Sequence, residues 1–350
     1  MKRRNFLQSC CIAPAACLTG CSLVPATHSG NNSTFVKPII GTGFVFEQPN
    51  QVGGKHWNSF LPKFTTEQWK QLVFDMHEIG MEYLQMLTVA YQGKTYYPSK
   101  LLPRHDYVCE DPLEAVFSAA NECGVKIFVS NDYWSDWSKV YEGMTDESTW
   151  RLREQGMEEI AEKYSHHKSF YGWYFPHETE LRSVMSDYAF NYANRCSKIA
   201  RSVTPNALTM IAPYGTRYAT INDEYVRQLE QLDVSIIAYQ DEVGVFKIEV
   251  GEAGQYFENI YKMHVKAGRS RLWGVVEIFD YEGEAYRTPG IPAPIERITR
   301  QLTDVSPYVE HIIICQYQGF MSKPGSIAFQ GHKSTETLYT DYVQWLNTKK

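Results

Sequence analysis

The sequence lacks the spacings by which proteins commonly hold zinc: no CxxC pair, no HxH and no HExxH occurs in its 350 residues. It has no basic stripe, and so no electrostatic footprint of a nucleic-acid surface. Beyond the first twenty-one residues no apolar run approaches the ~20 residues that a membrane-spanning helix needs. No G-x-G-x-x-G turn follows the first apolar run of the globular part, which argues against a dinucleotide-binding sheet, and no motif calls for a cofactor. Cysteine is scarce where it could staple a fold. Of the eight cysteines, Cys10, Cys11, Cys17 and Cys21 fall in the first twenty-one residues. Cys196 and Cys315 sit in apolar periodic segments and read as small core residues, while a helix expected between Cys109 and Cys123 holds that pair too far apart for a disulfide.

What is present begins with an export signal. Lys2, Arg3 and Arg4 form a basic start, and a weakly apolar stretch leads to Leu18-Thr19-Gly20-Cys21, the form of a bacterial lipobox. Cleavage before Cys21 and lipidation of that cysteine are expected. Arg3-Arg4-Asn5-Phe6-Leu7 also resembles a twin-arginine signal. Residues 22–34 mix Ser, Asn, Thr, Gly and Pro as a flexible tether, and 35–350 form the globular part. No acidic run follows Ser22, so the expected place is a membrane anchor facing the periplasm, with cell-surface display as the alternative. Removal of the signal leaves 31 Lys and Arg against 40 Asp and Glu, a formal charge of −9, and a monomer is expected.

The globular part is punctuated regularly. Short apolar runs at 38–46, 83–91, 126–134, 170–175, 207–214, 234–239, 271–279 and 311–317 have the continuous apolar character of parallel strands buried on both faces. Amphipathic helices separate them. Thr65-Thr66-Glu67 caps one that carries Trp69, Leu72, Val73, Met76 and Ile79, Asp111-Pro112 opens another, and more fit 146–166, 180–203, 223–232, 252–267, 294–309 and 335–346. Eight strands alternating with eight helices predict an α/β fold, a single-domain (β/α)8 TIM barrel, ahead of a doubly wound open sheet.

Such barrels place their active sites at the C-terminal ends of the strands. Two glutamates close apolar runs there, Glu178 in "FYGWYFPHE" and Glu277 in "LWGVVEIF". Paired carboxylates on one rim suit glycosidic bond hydrolysis, which needs a proton on the leaving oxygen and negative charge opposite an oxocarbenium-like centre. The apolar setting of Glu178 predicts a raised pKa and an acid's role, leaving Glu277 as the ionised partner. Around them the expected rim is aromatic and amide-rich: Trp57, Asn131, Asp132, Trp134, Trp173, His177, Tyr214, Tyr239, Gln316 and Tyr317 are candidate carbohydrate contacts.

These residues resemble a known arrangement, the large retaining glycoside-hydrolase clan built on (β/α)8 barrels. That resemblance implies an acid/base at the end of strand four (Glu178), a nucleophile at the end of strand seven (Glu277), and a strand-six tyrosine supporting the nucleophile (Tyr239). His177 stands where most members have Asn, and Tyr317 and Gln318 stand where many have Trp. The segments "KHWNSFLPKF" and "YGWYFPHE", with the lipoprotein signal, are similar to the domain-of-unknown-function 4434 family of candidate glycoside hydrolases. Other readings stay open. Glu178 fits a first-turn helix acid and Glu277 a buried ion pair. A metal-dependent barrel hydrolase could draw on His56, Asp132, His177, Glu178 and Glu277, and a glycan-binding lipoprotein without catalysis fits the same rim.

Overall fold

Laid side by side, the eight apolar runs form a closed parallel barrel in a computed structural model that describes residues 35–349. Its strands are β1 (Ile39–Phe44), β2 (Tyr83–Met86), β3 (Lys126–Ser130), β4 (Phe170–Phe175), β5 (Leu208–Ile211), β6 (Ile236–Gln240), β7 (Arg271–Glu277) and β8 (His311–Cys315). Each pairs in parallel with its sequence neighbours, and β1 closes the ring against both β2 and β8. The expected single-domain (β/α)8 TIM barrel is the observed fold. The signal, the tether and Cys21 lie outside the described residues. Among the described residues no helix is long and apolar enough to cross a membrane.

The outer layer consists of α1 (Thr66–Glu78), α2 (Pro112–Cys123), α3 (Val140–Thr145), α4 (Glu147–Tyr164), α5 (Asp187–Val203), α6 (Asp223–Gln231), α7 (Ala253–Ala267), α8 (Ile295–Val305) and α9 (Ser334–Asn347). Thr65 starts α1 through a capping box with Gln68, and Asp111 caps α2 with Pro112 in its first turn. The short α3 adds one helix to the expected eight, and α5 begins at Asp187 rather than near 180, because Glu180 bridges to Tyr214 in extended form.

Apolar residues divide into two cores. Tyr83, Phe128, Tyr174, Met210, Ile236, Ala238, Trp273, Val275 and Ile313 fill the barrel, whereas a larger set packs between strands and helices. Side chains alternate along each strand between these layers. The strands are shorter than the apolar runs. The run expected at 83–91 leaves the barrel after Met86, with Ala90–Tyr91 pairing antiparallel with Lys94–Thr95, and Phe279–Tyr281 leaves β7 to pair antiparallel with Gly290–Pro292. Apolarity reports burial, and here burial continues into loops folded over the strand ends. Cys109, Cys123, Cys196 and Cys315 are all free thiols.

Candidate active site

The alternation of side chains selects what reaches the rim. In β7, Trp273 and Val275 point into the barrel, so Glu277 two residues on points the same way. Gln240 follows Ala238 inward on β6, Gln85 follows Tyr83 on β2, and Cys315 follows Ile313 on β8. Together with Glu178, three residues past β4, these inward-facing groups line a cavity of about 280 Å³ at the C-terminal end of the barrel. Trp57, Tyr133, Trp137, Tyr174, Tyr281 and Tyr286 add aromatic walls, and Gln48, Asn50 and Gln316 add amides.

Glu277 is almost wholly buried and tightly held. Its Oε2 accepts the Val245 amide at 2.9 Å, and its own amide donates to Asp241 Oδ1 at 3.0 Å. From α8, Gln301 Nε2 donates to Asp241 Oδ2 at 2.6 Å and to the Glu277 carbonyl at 3.0 Å, while Arg297 Nη2 reaches that carbonyl at 3.2 Å. The loop after β6 passes so close that a Cβ on Gly244 would lie 2.8 Å from the Glu277 Cβ. Glycine is required there for clearance.

Burial pushes the Glu178 carboxyl up to about 7, although Gln240, Lys247 and Tyr174 pull it back. Burial, then the charge of Asp241, drive Glu277 well above the usual carboxylate range against the Val245 amide and Arg297. Asp241 is itself raised by burial, to about 6. The Cys315 thiol and the Tyr286 phenol, raised first by burial, each feel the charge of both Glu178 and Glu277, so the two carboxyls face a common space.

Of the ten expected carbohydrate contacts, Trp57 and Gln316 line this cavity. The others point elsewhere. Trp173, one residue before the inward Tyr174, turns out to the helices and donates from Nε1 to Thr204 Oγ1 at 2.7 Å. Tyr239, one before the inward Gln240, is hydrogen-bonded to Tyr225 and to His264 Nε2 (3.0 Å) behind the barrel wall. It does not reach Glu277, and the phenols that feel Glu277 are Tyr281 and Tyr286. Asn131 donates to Cys196 Sγ at 3.1 Å, and the Trp134 indole donates to the Asn131 carbonyl at 2.9 Å with its ring against Gly156. Tyr317 is buried against Tyr339 of α9. Tyr214 lies half-buried on the rim, with Lys247 Nζ 4.9 Å over its ring.

Asp132 and His177 belong to a sealed ionic cluster. Asp132 Oδ2 accepts Arg153 Nε at 2.7 Å, and His177 Nε2 stands 3.1 Å from the same oxygen, with all three side chains fully buried. Burial opposes ionisation of Asp132, but Arg153 and His177 outweigh it and hold its carboxyl at about 2. His177 therefore faces away from the cavity that Glu178 faces. The scattered metal-ligand set does not converge: His56 pairs with Glu282, Asp132 with Arg153, and no group of three His, Cys, Asp or Glu among the described residues is placed to hold a metal ion.

Gln48, Asn50, Gln85 and Tyr286 were not foreseen from sequence. Gln85 carried a signal, since it is the lone polar residue of "YLQM", but reading the strand on to residue 91 moved the rim past it. Tyr286 comes from an irregular loop that no periodicity marks.

The chain is similar to known proteins at two levels. The model of a family described as "Domain of unknown function (DUF4434)" matches residues 41–328. A "putative alpha-L-fucosidase" from Bacteroides thetaiotaomicron superposes with a TM-score of 0.67 at 19% identity, covering 89% of this chain and 96% of that one. An endo-1,4-beta-mannanase from Rhizomucor miehei gives 0.56 at 11%, covering 89% and 95%, and a beta-galactosidase from Marinomonas ef1 gives 0.55 at 10%, covering 88% and 59%. At these identities the structural likeness concerns the fold. No curated protein matches the chain in sequence.

Proposed function

The chain belongs to the DUF4434 family, and from that footing we propose that it is a retaining glycoside hydrolase acting on an oligo- or polysaccharide, with Glu178 as acid/base and Glu277 as nucleophile. The observation that carries the reading is that two carboxyls, one from the loop after β4 and one from the end of β7, face a single aromatic and amide-lined cavity. The fold likeness to a fucosidase candidate, a mannanase and a galactosidase, all named for sugar chemistry, supports it. The fold alone does not imply the activity.

In this mechanism Glu178 gives its proton to the glycosidic oxygen while the Glu277 carboxylate attacks the anomeric carbon, so the leaving sugar departs with the proton and a glycosyl ester remains on Glu277. Glu178, now a carboxylate, takes a proton from water as the water oxygen attacks the same carbon, releasing Glu277 and restoring both groups. A value near 7 suits Glu178 to both halves. Burial and the charge of Asp241 oppose ionisation of Glu277. The assignment of roles therefore rests on position in the barrel. The Val245 amide, Arg297 and the positive charge that develops on the sugar favour the ionised form.

The same reading includes export and lipid anchoring through Cys21 on the periplasmic face. Hydrolysis of an accepted glycoside by Glu178→Gln and Glu277→Gln proteins tests the catalytic part, each with an expected loss of at least about 100-fold in kcat. Full activity in either variant removes that residue from the mechanism.

A further inference from the structure

We propose that the cavity takes an uncharged sugar and rejects one bearing a carboxylate or sulfate near the scissile bond. The inference rests on the glycosidase reading in calling the ligand a sugar and in placing its scissile bond between the two glutamates. Its basis is the charge inventory of the wall. Among the described residues that line the cavity, the ionisable groups are the two glutamates, one thiol and the phenols, and none is Arg, Lys or His. Hydrogen bonding falls to the amides of Gln48, Asn50, Gln85, Gln240 and Gln316 and to tyrosine hydroxyls. Amides and phenols donate and accept, as sugar hydroxyls do, and carry no charge to balance an anion.

Arg297, Lys247 and Arg217 each have partners behind or beside the wall. Arg297 donates to the Glu277 and Phe279 carbonyls. Lys247 Nζ stands 3.8 Å from Glu242 and over the Tyr214 ring, and Arg217 is clamped between Glu180 and Glu242. None lines the cavity, and the charges of Lys247 and Arg297 that reach it act on Glu178 and Glu277 themselves. Above pH 7, where Glu178 is ionised, a second negative charge held roughly 6 Å from it, in surroundings of intermediate polarity, meets a repulsion large enough for about a hundredfold discrimination. It also opposes the ionisation of Glu277 that the reaction requires. The cavity is at the small end of ligand sites, which suits one or two sugar rings rather than a long bound segment.

Binding of purified full-length protein to matched glycans tests this directly. The probes are short oligosaccharides ending in glucose or galactose, and the same chains ending in glucuronate, galacturonate, a 6-sulfated hexose or an amino sugar. At least one neutral member binds, and its carboxylated and sulfated counterparts bind about 100-fold or more weakly. Equal or tighter binding of an acidic member overturns the inference, as does preference for the amino sugar or failure of every neutral glycan to bind. Release of reducing ends is scored separately. A neutral glycan that binds selectively but is never cleaved refutes the glycosidase reading and leaves the charge preference standing.

Discussion

A carboxyl raised by burial is a cost to the fold that a catalytic site retains for its chemistry. Glu178 ionises at about 7 in the folded chain and near the ordinary 4.5 in the unfolded one, so folding holds its proton more tightly. The sign follows: below about 4.5 both states are protonated and no penalty exists, the penalty grows as pH rises, and above about 7 it is complete, at up to about 3 kcal/mol. Replacement by a neutral amide removes it. Glu178→Gln protein is expected to unfold at a higher temperature than the parent at pH 8 and at the same temperature at pH 4.5, as followed by circular dichroism. Equal melting at both values would place the carboxyl in water. Asp241 offers a complementary test, since its charge raises Glu277. In Asp241→Asn that push is gone, Glu277 ionises at lower pH, and the optimum of kcat/KM is expected to move toward acid, whichever of the two glutamates titrates first. An unchanged optimum would mean that Asp241 does not govern Glu277.

At the level of elements, the barrel's outer layer is tied to the rim by buried ionic groups that do not line the cavity. Arg153 of α4 reaches Asp132 just past β3, and His177 from the loop after β4 closes the cluster, all sealed from solvent. Such a pair is costly to break from one side, because the remaining charge is left buried. Arg153→Met is expected to lower unfolding stability by about 3–5 kcal/mol in urea titration, with most of that recovered in Arg153→Met/Asp132→Leu. No recovery in the double variant would mean that the cluster's role is packing rather than charge.

Elements also show what the sequence made legible. Eight apolar runs at near-regular spacing identified the eight strands, and the glutamates closing the fourth and seventh runs were visible as chemistry because acids at the ends of buried runs are rare. Parity was the missing step. Trp173 beside Tyr174, and Tyr239 beside Gln240, differ by one position, and one position exchanges the cavity for the helix layer. Taking Glu277 as inward and counting back by two along β7 fixes Val275 and Trp273 as inward, and the register pairing Gln240 with Val275 then carries the parity to β6. That register is a tertiary fact, absent from composition or periodicity. Loop residues had no period at all: the hairpin of Phe279–Tyr281 with Gly290–Pro292 carries Tyr286 to the cavity, and the loop after β1 carries Asn50.

For the whole molecule, we propose that the barrel is exported and anchored through a lipid on Cys21 of the lipobox Leu18-Thr19-Gly20-Cys21. Fractionation of cells producing the full chain checks the anchor: the parent is expected in the membrane fraction, extracted by detergent but not by high salt, and Cys21→Ala is expected to lose the lipid-modified form. Identical partitioning and identical mass of the two proteins would contradict it. The barrel itself is the scaffold that makes two distant sequence positions into one site, since β4 and β7 are separated by β5 and β6 in the ring and only its closure turns both carboxyls onto common space. The central claim is that Glu277 forms a covalent bond to the sugar. A 2-deoxy-2-fluoro glycosyl fluoride of an accepted neutral sugar, incubated with the protein and followed by peptide mass mapping, measures it: one adduct per chain is expected, on the peptide carrying Glu277, whereas an adduct on Glu178 or Asp241, or hydrolysis with inversion and no adduct, rules the covalent role of Glu277 out.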